Sequence, residues 1–211
     1  PPLDGGQELD VNGMYVLPGF IDTHLHLHTI QGAQKVPAEY VLKLWLAHGI
    51  TSGRTNGLPN SLSWAMDVKK RLDYNEITGP RFHVYPIFTN QSVSKLETPE
   101  EAREWVRDIK KAGGSGVKFF GAPEEILWAG LEEADKLGLN STMHHAQTNV
   151  SHANVLTTSE HGLKSMEHWY GLPEAMFEDK RIQRYSNDYI FTNEQDRFGE
   201  AGTLWKQAAK P

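Results

Sequence analysis

The sequence has no cysteine among its 211 residues. Disulfide bonds, iron–sulfur clusters and cysteine-ligated zinc sites are therefore excluded, and a metal ion could be bound only by histidine, aspartate, glutamate or a modified lysine. The sequence also lacks an apolar run of about 18 residues, so we expect no segment to span a membrane. With 38% hydrophobic residues, the chain can still bury the core of a folded protein.

Positive charge is also scarce. The net charge is −6, and the longest basic cluster is Lys69-Lys70-Arg71. Because nucleic-acid-binding proteins usually carry a broad basic surface, this balance argues against a nucleic-acid partner. We expect a small-molecule substrate, while homo-oligomerisation and the cellular compartment stay open.

Strand-like and helix-like segments alternate along the chain, which predicts parallel β-strands joined by helices. The predicted strands cover residues 16–28, 50–56, 81–88, 116–120, 140–146 and 164–169, and the predicted helices cover 37–49, 62–77, 98–111, 123–137 and 193–209. A closed (β/α)8 barrel has eight strands and takes about 250 residues. We therefore predict an α/β fold that is a partial TIM (β/α)8 barrel, with strands 1 to 6.

The two ends of the sequence depart from this alternation. Residues 7–16 resemble a β-hairpin around Asn12-Gly13, and residues 171–191 are rich in charged and aromatic side chains without a clear period. We interpret residues 1–17 as the remnant of a small N-terminal β-sandwich domain and residues 18–170 as barrel units 1 to 6. Residues 171–211 are interpreted as an excursion and a helix, in a chain that stops before strands 7 and 8.

The first predicted strand ends in alternating histidines. Side chains two residues apart on a strand share a face, so His24 and His26 are predicted on one face and Leu25 and Leu27 on the other. Two imidazoles on one face can bind one ion, and imidazole suits zinc, manganese, iron and nickel. The alternative is a polar strand end without a metal.

Further candidate ligands lie where later strands end, which is where α/β barrels carry their active sites. Lys118 lies among apolar residues, where burial would lower the pKa of its amine and allow carbon dioxide to be captured as a metal-binding carbamate. Alternatively, its stem packs on the strand and its amine reaches solvent. His144 and His145 lie on opposite faces of one strand, and the period alone does not select between them. His168 is a ligand or a structural histidine.

Four segments resemble, in order, the successive motifs of the amidohydrolase superfamily: residues 17–26 (LPGFIDTHLH), 116–118 (GVK), 145–146 (HA) and 165–168 (SMEH). The resemblance is to the binuclear type with a carboxylated lysine. It implies two divalent metal ions, with zinc expected, and carbon dioxide held as a carbamate. His24 and His26 would bind the more buried ion, Lys118 would bridge the two, and His145 and His168 would bind the second. The motif has histidine before a small residue, which favours His145 over His144.

The resemblance also implies roles for residues around the metals. Asp22 would orient a histidine rather than bind metal, and His144 and Tyr170 would support the ligands or contact substrate. Members of this type use an aspartate at the end of strand 8 as metal ligand and general base. No residue here matches it, and we do not assign that role to Asp179, Asp188 or Asp196 of the excursion.

The implied reaction is hydrolysis of an amide-type C–N bond by a metal-bridging hydroxide, in a cyclic amide, an imidazolone-like compound or a dipeptide. Two alternatives stay open. One is a mononuclear deaminase of the same superfamily, which needs no lysine carbamate, and the other is a non-catalytic amidohydrolase-like scaffold. Without the aspartate of strand 8, we expect the 211 residues alone to be inactive.

Overall fold

The computed structural model describes residues 6, 8–27, 30–31, 34–57, 61–89, 96–177, 183–186, 188, 190 and 193–208. The described strands are β1 (Phe20–Leu25), β2 (Ile30–Gln31), β3 (Gln34–Lys35), β4 (Ile50–Thr55), β5 (Arg81–His83), β6 (Ile87–Thr89), β7 (Gly116–Gly121), β8 (Asn140–Met143) and β9 (Ser165–Met166). The described α-helices are α1 (Ala38–Ala47), α2 (Leu62–Asp73), α3 (Pro99–Ala112), α4 (Glu124–Lys136), α5 (Val155–Glu160), α6 (Leu172–Ala175) and α7 (Glu194–Ala208). None of these helices is long and apolar enough to cross a membrane.

Two parallel sheets form the centre of the fold. The first has the order β1-β4-β5 and the second the order β6-β7-β8-β9, while β2 and β3 make a separate two-residue antiparallel pair. Helices connect most of the parallel strands, as the alternation of the sequence predicts. The α/β prediction is therefore confirmed.

The third predicted strand is divided between the two sheets. It forms β5 in the first sheet and β6 in the second, separated by residues 84–86. Pro86 has no N–H to donate to a ladder, so pairing is interrupted there. The segment still joins the sheets, because Tyr85 N donates to Thr55 Oγ1 of β4 at 2.8 Å and Lys118 N of β7 donates to Pro86 O at 2.9 Å. Six strand positions thus follow one another in the predicted order.

The first and last of these strands, β1 and β9, are connected through the side chain of Arg54. In the part of the chain that the structure describes, no backbone ladder joins β9 to β1 and no closed barrel is formed. Arg54 of β4 spans this space, since its Nε donates to Thr23 O of β1 at 2.8 Å and its guanidinium donates to Ser165 Oγ of β9 at 3.4 Å.

Two hydrophobic clusters hold the helices against the sheets. In the first sheet, Leu42 of α1 and Val68 of α2 pack with Phe82 of β5. In the second, α3 and α4 pack on a larger cluster that includes Phe88 and Phe119. Burial of these faces directs the polar ends of the strands toward a common edge.

The start of α3 shows how local sequence signals place a helix. Thr98 Oγ1 accepts a hydrogen bond from Glu101 N at 3.2 Å, and Glu101 Oε2 accepts one from Thr98 N at 3.1 Å. Pro99 occupies the first turn and Gly113, with φ +86°, ends the helix. The capping box and the glycine stop are both visible in the sequence.

The predicted N-terminal hairpin is wrong for the described residues 8–19, which contain no strand. Its turn is present, since Gly13 has φ +77° and Met14 N donates to Val11 O at 2.9 Å. All of residues 8–19 are exposed, so the flanking segments have no apolar surface on which to pair. The predicted first strand accordingly begins at Phe20, and its last residue, His28, lies outside the described residues.

The C-terminal part contains the predicted helix as α7, and the predicted excursion includes the short helix α6. Tyr170, Tyr185 of the excursion and Leu204 of α7 share a small buried cluster. The excursion therefore packs beside the end of β9. Asp179 lies outside the described residues.

Candidate metal centre

Four histidines form a continuous row where β1, β8 and β9 end. The ring centroids of His26 and His24 are 5.0 Å apart, those of His24 and His168 are 4.9 Å apart, and those of His168 and His144 are 4.8 Å apart. We refer to these four side chains as the histidine row. Since strand carboxyl ends meet at one edge of a parallel sheet, residues distant in sequence are brought together here.

The alternation of β1 places its histidines as predicted. Leu25 and Leu27 are buried, whereas His24 is half-buried and His26 exposed on the opposite face. Asp22 does not reach an imidazole ring in this structure. Its Oδ1 instead accepts a hydrogen bond from His24 N at 2.8 Å, which fixes the backbone at the point where the row begins.

Lys118 of β7 is buried, with 2% of its surface exposed, and its Nζ has no hydrogen-bond partner among the described residues. Burial lowers the pKa of Lys118 to about 7; the charge of Glu167 opposes this shift and the charge of Arg54 adds to it. The prediction that Lys118 is buried is confirmed, and the alternative in which the amine reaches solvent is wrong. A carbamate stays a prediction.

The pairing of β7 with β8 separates the two adjacent histidines. Lys118 lies opposite Thr142 in the register, so His144, two residues beyond Thr142, shares the face of the lysine. Met143 joins the hydrophobic core, and His145 follows on that face. His145 is fully buried, and its Nε2 lies 2.9 Å from Thr158 Oγ1 of α5.

The register places His144 rather than His145 next to the other histidines of the row, which differs from the preference that the motif gives. The motif argument used only the residue that follows the histidine, whereas the register decides which side chain faces the row. His144 lies in the row and His145 points toward α5. Whether either binds a metal stays a prediction.

His168 takes an unusual backbone conformation with φ +58°, which is rare for a residue other than glycine. Burial lowers the pKa of His168 to about 4 and that of His144 to about 3. Both imidazoles are therefore neutral at pH 7 and keep a lone pair that can bind a metal.

Tyr170 is completely buried beside the histidine row. Its ring centroid lies 5.2 Å from that of His144 and 6.0 Å from that of His168. Arg197 of α7 donates from Nε to the Tyr170 hydroxyl at 2.6 Å. Tyr170 thus contacts the row through its ring and the C-terminal helix through its hydroxyl.

Sequence reasoning missed Glu167, Arg54 and Thr142. Glu167 Oε2 lies 2.7 Å from His24 Nδ1, and Glu167 Oε1 accepts hydrogen bonds from Arg54 and Thr142. Strict strand alternation would place Glu167 and His168 on opposite faces. The left-handed conformation of His168 breaks that alternation, so both side chains reach His24. The signal available in the sequence was the position of Glu167, an acidic residue directly before the candidate ligand His168.

The donor chemistry of this edge fits a divalent ion. Within the described ranges, no three histidine, aspartate or glutamate side chains converge as a ready-made metal site. The residues nevertheless supply four imidazoles in a row, of which those of His144 and His168 are neutral at pH 7, and a buried amine without a hydrogen-bond partner. Imidazole and carbamate oxygen are both suitable ligands for zinc and related metals.

The sequence model of the amidohydrolase family matches residues 15–191 of the chain. Two curated relatives are adenine deaminases. The protein from Methanoculleus marisnigri is 48% identical over 48 residues, which are 23% of this chain and 8% of the relative. The protein from Bacillus pumilus is 24% identical over 194 residues, which are 92% of this chain and 30% of the relative. The chain thus spans a minor part of both relatives.

Solved structures share the fold over most of the chain. A prolidase-like protein from Bifidobacterium longum matches with a TM-score of 0.56 and 25% identity, over 72% of this chain and 40% of that protein. An Xaa-Pro dipeptidase with methionine bound in its active site matches with a TM-score of 0.57 and 18% identity, over 75% of this chain and 50% of that protein. The latter likeness concerns the fold alone.

Proposed function

Because the chain belongs to the amidohydrolase family, we propose that it carries most of the metal centre of a hydrolase that cleaves C–N bonds in small molecules. The observation that carries the proposal is the histidine row at the strand ends, next to the buried amine of Lys118. The similar proteins include adenine deaminases and a dipeptidase, and both kinds of enzyme break C–N bonds.

The residues that would hold the metal ions are His24, His26, His168 and His144, with Lys118 as a carbamate that bridges two ions. Zinc is the expected metal because the donors are imidazole and carboxylate-like oxygen. When bound, the ions would lower the pKa of a coordinated water toward about 7 and polarise the substrate. His168 and His144 are available as neutral imidazoles and Lys118 can lose its proton near pH 7, since burial lowers the pKa of all three.

The chain's own contribution to the reaction would come from the aromatic side chains beside these ligands. Phe120 stacks on His144 with ring centroids 4.6 Å apart, and the centroid of the buried Tyr170 ring lies 5.2 Å from that of the same imidazole. Such aromatic walls exclude water and strengthen the electrostatic contacts of a bound substrate. A cyclic amide, an imidazolone-like compound or a dipeptide would be a suitable substrate.

The six strand positions correspond, in this proposal, to strands 1 to 6 of a (β/α)8 barrel. Residues 1–17 would belong to a small β-sandwich domain, residues 18–170 to the barrel, and residues 171–211 to an excursion before strand 7. The described parallel strands lie between Phe20 and Met166, within the range that this division assigns to the barrel. In the proposed binuclear centre, an aspartate at the end of strand 8 would complete the ligand set.

A mononuclear deaminase is the second candidate, favoured by the two adenine deaminase relatives. Unlike the binuclear hydrolase, a mononuclear deaminase would not need Lys118, because a single ion requires no bridging carbamate. The buried, partner-free amine of Lys118 supports the binuclear form.

Metal analysis of the purified chain tests both candidates. After removal of metals with a chelator and reloading with zinc in bicarbonate buffer, we expect two ions per chain in the wild type and fewer than two in Lys118→Ala. The exposed Lys70 provides a matched control, and Lys70→Ala should keep both ions. One ion in every variant would instead support the mononuclear deaminase, and no bound metal in the wild type would overturn the proposal.

A further inference from the structure

The carboxylate of Glu167 connects three other strands of the fold. Its Oε2 lies 2.7 Å from Nδ1 of His24 in β1, and its Oε1 accepts hydrogen bonds from Arg54 of β4 and Thr142 of β8. Arg54 is itself fixed, because its Nε donates to Thr23 O at 2.8 Å. Glu167 is therefore held by two donors on one oxygen and presents the other oxygen to His24.

Glu167 is buried, with 6% of its surface exposed, and its carboxylate forms an ion pair with the guanidinium of Arg54. Thr142 adds a second donor to the same oxygen, so Oε1 is held as an acceptor by two donors. An ionised carboxylate can only accept hydrogen bonds. The proton in the short contact with His24 must then belong to the imidazole.

We infer that Glu167, anchored by Arg54 and Thr142, is a positioning residue that fixes the proton of His24 on Nδ1 and leaves the lone pair on Nε2. Asn56 Nδ2 lies 2.8 Å from His24 Nδ1 and 2.5 Å from His24 Nε2, so this contact does not distinguish the two ring nitrogens, and the assignment is carried by Glu167. A metal-binding imidazole commonly donates its second N–H to a carboxylate, which sets both the tautomer and the ring orientation.

The effect of Glu167 on metal affinity rests on the proposed function. The tautomer of His24 does not, because it can be observed without a metal. If His24 binds a metal, its Nε2 is the ligand atom and Asn56 Nδ2, which lies 2.5 Å from that nitrogen, must move away. Loss of an outer carboxylate partner commonly lowers metal affinity by about 10–100-fold. Glu167 would thus raise metal affinity without touching the ion.

The variant Glu167→Gln replaces one carboxylate oxygen, an acceptor, with an NH2 group, a donor, and changes the shape of the side chain little. Arg54 and Thr142 are both donors toward Oε1 of Glu167, so the amide oxygen of the new side chain should stay with them. Its NH2 group would then face His24 Nδ1 and require an acceptor. The proton of His24 should therefore move from Nδ1 to Nε2.

The tautomer can be measured in the metal-free chain by nitrogen-15 NMR of the imidazole ring at pH 8, with the His24 signals identified from their loss in His24→Gln. We expect the Nδ1–H form in the wild type and the Nε2–H form in Glu167→Gln. Glu133→Gln is the matched control, because Glu133 is also buried and also binds an arginine, Arg107, but lies in α4. It should leave the His24 signals unchanged.

A wild-type spectrum in which His24 carries its proton on Nε2, or on both nitrogens, would overturn the inference even if Glu167→Gln fails to fold. Zinc affinity gives the second measurement, with an expected loss of about 10–100-fold in Glu167→Gln and none in Glu133→Gln. If the tautomer reverses but the wild type binds no metal, the positioning role stands and the proposed function fails. If the wild type binds metal but its His24 is the Nε2–H form, the proposed function stands and the positioning role of Glu167 fails.

Discussion

Thr142 in β8 lies opposite Lys118 in β7, and this register turns His144 rather than His145 toward the histidine row. The same pairing continues one residue further, where His144 N donates to Phe119 O at 3.0 Å. The pairing thus fixes the faces of the strand up to His144.

Substitution of each histidine by glutamine should separate their roles. In His144→Gln, zinc affinity should fall by at least about tenfold, because a ligand is lost as well as any outer contact. In His145→Gln, affinity should change little, while the free energy of unfolding falls by about 1–3 kcal/mol because His145 is fully buried and contacts Thr158. Zinc titration and urea denaturation of the same preparations provide both values. The opposite pattern would restore His145 as the ligand.

The sequence was sufficient wherever a local pattern determines the structure. The alternation of His24 with Leu25 and the capping box at Thr98 require only neighbouring residues, and both are observed. The choice between His144 and His145 depends on the pairing of β8 with β7, which lies outside any local pattern. A resemblance of motifs could not replace that register.

The contacts of Glu167 were hidden for a different reason. His168, with φ +58°, departs from regular strand geometry, and both its ring and the carboxylate of Glu167 lie close to His24. A period-2 argument assumes regular geometry and so places only one of these two neighbouring side chains beside His24. By contrast, the interruption of the third strand follows from Pro86, whose missing N–H was visible in the sequence.

Lys118 should make the stability of the metal-free chain depend on pH. The pKa of its amine is about 7 in the folded chain, against 10.5 for an ordinary lysine, so the unfolded chain binds more protons between these values. Stability must then rise with pH across this window, and the penalty of the buried charge is complete below pH 7. Lys118→Met should accordingly be more stable than the wild type at pH 6, by a few kcal/mol at about 1.4 kcal/mol per pKa unit, and the difference should shrink toward pH 10.

Urea denaturation at pH 6, 8 and 10 in chelator and carbonate-free buffer measures this difference. Lys70→Met serves as the control, because Lys70 is exposed and should give a difference that is independent of pH. A constant difference for Lys118→Met would show that its amine is charged to the same extent in both states.

The carbamate on Lys118 can be tested directly with carbon-13 bicarbonate. At pH 8 the amine of Lys118 is largely neutral, since its pKa is about 7, and a neutral amine attacks carbon dioxide while a charged one does not. We expect a carbamate carbon signal in the zinc-loaded wild type that is lost in Lys118→Met. The same signal in both proteins would assign it to another amine and contradict the bridging role.

Glu174 in α6 should destabilise the chain at neutral pH. It is fully buried, its Oε2 accepts a hydrogen bond from Gly171 N at 2.9 Å, and its Oε1 has no partner among the described residues. Burial raises the pKa of Glu174 above its usual value, so the folded chain binds this proton more tightly than the unfolded chain. The stability that comes from this difference is fully present below the unfolded pKa and is lost as the pH rises through the folded pKa.

Glu174→Gln replaces the carboxylate with a neutral amide that keeps an acceptor for Gly171 N. Its free energy of unfolding should therefore exceed that of the wild type at pH 8, and the two should approach each other near pH 4, where the wild-type carboxyl is protonated as well. Glu104→Gln, at an exposed position of α3, should show no such convergence. If Glu174→Gln is less stable than the wild type at pH 8, the carboxylate must have a stabilising partner, and its burial is then compensated rather than costly.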